Sequence, residues 1–384
     1  MKFDAGRPAG QPGGCRIIHD MTRNLLLGGL CAALLAACST APLHTSTPPA
    51  PPPKTAADAV IAETWVSAPV AGDELDSLVA WPTEGGQVWL IATAKATHHL
   101  AVYDADSGER LRTVGTPGSA VGQFNRPNGI AVFGDLLFVA ERDNHRVQAF
   151  RLPEFAPLGA FGADVLRSPY GLWAHETAPG EVELFVTDSF MADFRTMTLP
   201  PMAELDGRVK RFQVRVEDGG KLEARLLGQF GDTGAAGALR MVESIAGDPA
   251  HDRLLIAEED RRVGSTLRDY RLATGTYNGH SLPTFDADAE GIALWSCSAD
   301  SGYWIAVDQL TPTRFRLFDR ATLAPAGVFS GKVTSNTDGE TVYAMPTKRF
   351  PSGALFALHN DESLAAFDLR DIARALDLQG DCPR

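Results

Sequence analysis

From residue 76 onward, short apolar runs recur, each opening on a polar residue that is usually followed by glycine or serine. The openings are DSLVAW (76–81), NGIAVF (128–133), YGLWAH (170–175), ESIAGD (243–248), EGIALW (290–295) and DGETVY (338–343). A second apolar run follows each one: VWLIATA, LLFVAE, ELFVTD, RLLIAEE, YWIAVD and ALFALH. A third, alternating run comes next in most units, as in LAVYDADSG, VQAFRLPE and RFRLFDRAT. Several units then close on a strand ending in glycine, such as RTVG, GAFG, GQFG and GVFSG. Helical periodicity is nearly absent before DIARALDL near the end. Six such units, about 42 to 73 residues apart, predict an all-β six-bladed β-propeller over residues 58–376, with a tail at 377–384. The longest step holds MADFRTMTLPPMAELDG, which we place in a long loop over one face.

In a propeller the first strand of each blade lines the central channel, so equivalent positions converge near the axis. The six opening residues are Asp76, Asn128, Tyr170, Glu243, Glu290 and Asp338. Asp288 stands two residues before Glu290, on the same side of an extended chain. Carboxylates crowded at one narrow mouth repel by several kcal/mol unless cations intervene. An all-oxygen donor set without His or Cys selects a hard ion, Ca²⁺ first and Mg²⁺ second. The bland reading is a single structural ion with water in the channel, which accounts for two or three of the acids.

Composition narrows the function classes. The net charge of −13 argues against a nucleic-acid partner held by non-specific attraction. His98 and His99 fall in a turn, and nine scattered histidines give no zinc spacing. Trp81, Trp173 and Trp295 in the inner runs read as packing between blades.

The N-terminus reads as an address. From Met21, the expected true start, one Arg and an apolar run lead to LAAC (35–38), which looks like a bacterial lipobox. Residues 1–37 are then a signal peptide, and Cys38 is lipidated. Residues 38–57 form a Pro-rich tether. Ser39 after the cysteine leans towards the outer membrane, with membrane contact through the anchor alone and a monomeric domain beyond it. Cys297 and Cys382 remain; in an oxidising compartment they invite a disulfide, with two unpaired thiols as the alternative.

Four segments resemble the β-propeller phytases, calcium-dependent phosphohydrolases acting on inositol hexakisphosphate: ESIAGDPAHDRLLIAEED (243–260), DADAEGIALW (286–295), TSNTDG (334–339) and FPSGALFALHND (350–361). The resemblance implies Asp76, Glu243, Asp288, Glu290 and Asp338 as calcium ligands, with Glu259 a further acid beside them. It implies Tyr170 as an active-site tyrosine, and Lys95 and Arg142 as holders of substrate phosphate. Metal-assisted hydrolysis follows, with a metal-bound water oriented by Glu243 or Glu290 and no covalent nucleophile.

Three positions depart from the family. Asp76-Ser77 stands where two aspartates are usual, Asp188-Ser189 where a phosphate-binding lysine is, and Lys332 where an aspartate is. Lys332 either removes one calcium or itself stands against phosphate. The stretch GQFNRPNGIAV…LLFVAERDNHRVQAF looks like an NHL repeat, a cue shared by binding propellers. The alternative is therefore a non-catalytic, calcium-stabilised propeller that binds a protein or glycan. A calcium-dependent lactonase ranks third.

Overall fold

The computed structural model describes residues 58–217 and 219–382. The expected signal peptide, the expected lipidation site Cys38 and the expected tether as far as residue 57 lie outside them.

Six sheets, each with four antiparallel strands, form the blades, and one of them gains a short parallel fifth strand. Their first strands are Leu75–Pro82, Pro127–Phe133, Pro169–Ala178, Val242–Asp248, Ala289–Ser296 and Glu340–Tyr343. Each neighbours the next, and the sixth returns to the first, so the ring is closed. The second strands read as unbroken apolar runs because both of their faces are covered. Val88–Ala94 and Gly302–Asp308 are buried along nearly their whole lengths.

The core therefore lies between blades and not at the axis. One apolar cluster joins Ile91 and Val102 of the first blade to Ile130, Leu137 and Val139 of the second. The tryptophans serve the same seams. The indole N–H of Trp81 donates to the Gly134 carbonyl of blade two at 3.0 Å. Trp173 of blade three lies over Gly247 of blade four, where a Cβ would sit 2.4 Å from the ring. Any larger residue at 247 would push those blades apart.

The sixth blade is completed by the other end of the chain. Its strand order is Trp65–Val66, Ser363–Asp368, Ala354–His359 and Glu340–Tyr343, with Trp65 opposite Ala366. Trp65 packs at a tilt against Phe356, with ring centroids 5.9 Å apart, and donates to the Ala105 carbonyl of blade one at 3.2 Å. Just before it, Ala59–Val60 pairs in parallel with the outer strand of blade five, Pro325–Ser330. The C-terminal helix Leu369–Ala375, capped by the Asp368 carboxylate, packs on the seam between blades five and six. A disulfide joins Cys297 to Cys382 with 4.8 Å between their Cα atoms, tying the tail to blade five.

Candidate metal centre at the channel mouth

Three rings of residues meet at one end of the channel. The innermost holds Asp76, Asn128, Tyr170, Glu243 and Glu290, each the second residue of a first strand, and Asp338, two residues before the sixth. Glycine follows several of these because the next blade's backbone is too close for a side chain. A Cβ at Gly129 would lie 2.0 Å from the Tyr170 carbonyl oxygen, and one at Gly171 2.4 Å from that of Glu243. Hydroxyls hold two carbonyls of the ring: Thr93 donates to Asn128 and Thr187 to Glu243, both at 2.6 Å. With backbones fixed this way, the ring side chains are left to converge.

The second ring sits one residue beyond the second strands: Lys95, Arg142, Ser189, Glu259 and Gln309 in blades one to five. Their backbone N–H groups donate to Glu74, Arg126, Ser168, Met241 and Asp288 in the loops leading into the first strands, at 2.8–3.1 Å. Those five loop residues form the third ring. In blades two to five the residue just before the second ring is a buried acid, Glu141, Asp188, Glu258 or Asp308. Each takes backbone N–H groups of its own lead-in loop. Asp188, for example, accepts from Ser168 at 2.6 Å and Arg167 at 3.2 Å. Asp188 thus ties down a loop, and Lys210 lies 3.3 Å from its carboxylate.

Charge divides the mouth into two halves. On one side, carboxylate oxygens of Glu243, Glu259 and Glu290 lie within 4.8 Å of one another. Burial, then repulsion from Asp76 and Asp338, pushes the Glu243 carboxyl up to about 8. Burial and the neighbouring glutamates likewise hold Glu259 and Glu290 well above the usual carboxylate range. On the other side Lys95 Nζ bridges Asp76 at 2.9 Å and Asp338 at 2.8 Å. Burial alone would lower the Lys95 pKa, but these two carboxylates outweigh it and keep the ammonium charged.

Further donors complete this half. Asn128 and the Tyr170 hydroxyl each donate to Asp76 at 3.2 Å, and Gln309 donates to Asp338 at 2.5 Å. Burial raises the Asp338 carboxyl even against the Lys95 charge, to about 7. Burial, followed by repulsion from Asp76 and Glu243, keeps the Tyr170 hydroxyl protonated far above its usual range.

The remaining expected residues are placed differently. Asp288 accepts a bidentate contact from Arg261 at 2.6 and 2.7 Å, which already supplies a cation there. Arg142 stands in the second ring but pairs with Asp143 at 2.7 Å and faces the ring of Phe194. Lys332 is exposed, and its backbone N–H donates to Glu63, which also takes those of Val333 and Thr334. No contact among the described residues joins Lys332 to the carboxylates. Sequence reasoning overlooked Gln309 and Asp361. Asp361 lies in the HND turn after the second strand of blade six, and its charge reaches Lys95 and Asp76. A comparison of the residues that follow the six second strands would have found both.

The donor set fits a hard cation. It is all oxygen, and Glu259 Oε1, Asn128 Oδ1 and Asp361 Oδ1 are buried without a hydrogen-bond partner among the described residues. Below the rings the first strands of all six blades enclose a channel of about 430 Å³, with Ser77 of blade one, Ser244 of blade four and Thr341 of blade six among its lining. The one acid lining it, Glu340, is raised by burial to about 8 and so stays neutral at pH 7.

A sequence profile of the NHL repeat matches residues 124–150, which is most of blade two. No curated protein matches the chain. Among solved structures, a chain in the crystal structure of a nidogen/laminin complex is similar, with a TM-score of 0.49 and 15% identity. That match covers 71% of this chain and 87% of the other. Kuenenia stuttgartiensis hydrazine synthase is another, with a TM-score of 0.45, 9% identity and 82% of each chain covered. The sheet topology and the repeat in blade two place the chain among the six-bladed β-propellers.

Proposed function

We propose that the mouth is the site of a calcium-dependent phosphomonoester hydrolase of the phytase type. The observation that carries this reading is the juxtaposition of three converging glutamates with a lysine held between two aspartates. Like charges at such spacing make sense where cations are brought together with an anionic substrate. The phytase-like segments around Glu243, Glu259, Glu290 and Asp338 support the same reading.

Glu243, Glu259 and Glu290 would hold the calcium, with Asp76 and Asp338 completing the oxygen set. Calcium bound there would supply charge neutralisation for phosphate and an acidified water. Lys95 presents an ammonium whose position is fixed by its two carboxylate partners, ready to donate to a phosphate oxygen. Arg142, on the adjoining blade, offers a second hold once it releases Asp143. Tyr170 keeps its proton and its hydroxyl donates a hydrogen bond to Asp76, which orients that carboxylate. Phytate is one substrate candidate among phosphorylated small molecules. The lipobox-like leader supports a lipid-anchored protein of the outer membrane.

The second reading, a calcium-stabilised binding propeller without catalysis, is favoured by the NHL repeat. Phosphate release from phytate and simpler esters, with and without Ca²⁺, separates the two. Wild type is expected to release phosphate only with Ca²⁺, and Glu290→Gln to lose that activity by orders of magnitude while remaining folded. Calcium-dependent melting with no release from any ester would give the case to the binding propeller.

A further inference from the structure

Five blades turn from second to third strand at the mouth through short loops: 95–98, 142–145, 259–265, 309–313 and 360–362. Blade three uses residues 189–208 for the same turn. This insertion is a built element. Phe190, Met191 and Leu205 are buried beneath it. Arg208, itself fully buried, donates to the carbonyls of Asp188, Phe190, Leu239 and Arg240. The guanidinium of Arg167 lies 3.8 Å from the Phe190 ring centroid. Above that base the chain forms a tight hairpin, with Asp193 opposite Thr198 and backbone bonds in both directions. Met197 takes φ +49° at its turn.

The hairpin presents apolar side chains where solvent would favour polar ones. Phe194 is 48% exposed and Met197 41%. Phe194 also reaches back to blade two, where Arg142 of the second ring lies 5.8 Å from its ring centroid. An anion-holding guanidinium and a flat apolar face therefore stand side by side at the rim. A cyclic polyol phosphate can lay only the C–H edges of its ring on such a face, a weaker contact than a heteroaromatic base makes. A phosphorylated compound with an aromatic group has both parts, and a ring stacked on Phe194 would cover exposed apolar surface.

Building on the phosphoester reading, we infer that Phe194 and Met197 form a wall for an aromatic group on the alcohol side of the ester, so that nucleoside monophosphates are preferred to sugar or polyol phosphates. Phe194 makes the stacking face, Met197 adapts to the edge of the base, and Arg142 holds the phosphate end.

The test compares adenosine 5′-monophosphate with ribose 5-phosphate, which share a phosphate on the primary C5 hydroxyl of ribose and differ in whether that ribose carries a base. In saturating Ca²⁺ the wild-type kcat/KM is expected to favour the nucleotide by about tenfold or more, mainly through KM, as stacking of one base on one aromatic ring provides. Phe194→Ala should bring the ratio of the two kcat/KM values close to one, and Phe194→Trp should keep it. Melting curves check that both variants fold. Three results would overturn the inference. A wild-type ratio near one, with ribose 5-phosphate turned over, sinks it and leaves the phosphatase reading standing. Equal losses on both esters in Phe194→Ala would mean that the ring only props Arg142. Release from neither ester while phytate is still hydrolysed would overturn this inference alone, and release from none of the three would remove the phosphoester reading with it.

Discussion

Replacing Glu290 with Gln should make the metal-free protein more stable, and the reason lies in the spacing of three side chains. The oxygens of Glu243, Glu259 and Glu290 are within 4.8 Å of one another. Two full charges at that distance repel by about 3–4 kcal/mol at an effective dielectric constant of about 20. Without calcium the protein limits this repulsion by keeping protons. Glu243, ordinarily at 4.5, is held at about 8, so the native state binds more protons than the unfolded chain between those values. A group raised in this way stabilises the fold fully below its ordinary value, and that stability is lost as pH rises through the folded value. For Glu243 alone the loss is on the order of 5 kcal/mol across the window, an upper bound because the neighbouring acids share it.

Gln at 290 removes one of the three charges. In EDTA at pH 8 the variant is therefore expected to melt about 3–6 °C above wild type, for roughly 2–3 kcal/mol recovered. At pH 5 the two should coincide, since the wild-type cluster is then protonated. Saturating calcium should reverse the order, because ligand at a thousandfold its Kd adds about 4 kcal/mol to wild type. The assay is thermal melting followed by circular dichroism, at both pH values, with EDTA or Ca²⁺. A variant less stable than wild type in EDTA at pH 8, or displaced equally at both pH values, would refute the reasoning.

Two further expectations concern how the chain is closed. Trp65→Ala removes the indole that packs on Phe356 and bonds to Ala105, and should lower stability by about 3–5 kcal/mol in urea titrations. An unchanged midpoint would show that the N-terminal strand does not hold the ring. Replacing Cys297 and Cys382 together by Ala opens a cross-link between residues 85 apart, and should lower stability by about 2–4 kcal/mol. Wild type unfolded under reducing conditions should match the double variant, and a lasting difference between them would point to packing at those positions instead.

Much of the site could be read from the sequence because the ring residues share one local context. A polar residue followed by glycine or serine marks each first strand, and the fold brings those positions together. The loop-capping acids were harder. Asp188 in VTDSF reads as a lost lysine, yet in space it is one of four buried acids that take backbone N–H groups. A one-letter string does not say whether a carboxylate faces a ligand or its own chain. Lys332 misled for the related reason that six residues of sequence are not a direction. The chain between it and Asp338 turns around Glu63, and the lysine is left at the rim. The strand Trp65–Val66 was invisible, since two residues carry no period and their partners lie at the opposite end of the chain.

That distant partnership has a consequence in time. Five blades draw all four strands from neighbouring sequence and can take shape as the chain is made. The sixth cannot. Trp65 must wait for Ala366, roughly 300 residues later, which at ordinary rates of synthesis is about 15–60 s. Throughout that interval the nascent propeller is an open arc, with unpaired strand edges at its growing end. The last strands made are the ones that let the first strand dock, so synthesis itself acts as the timer for closing the ring.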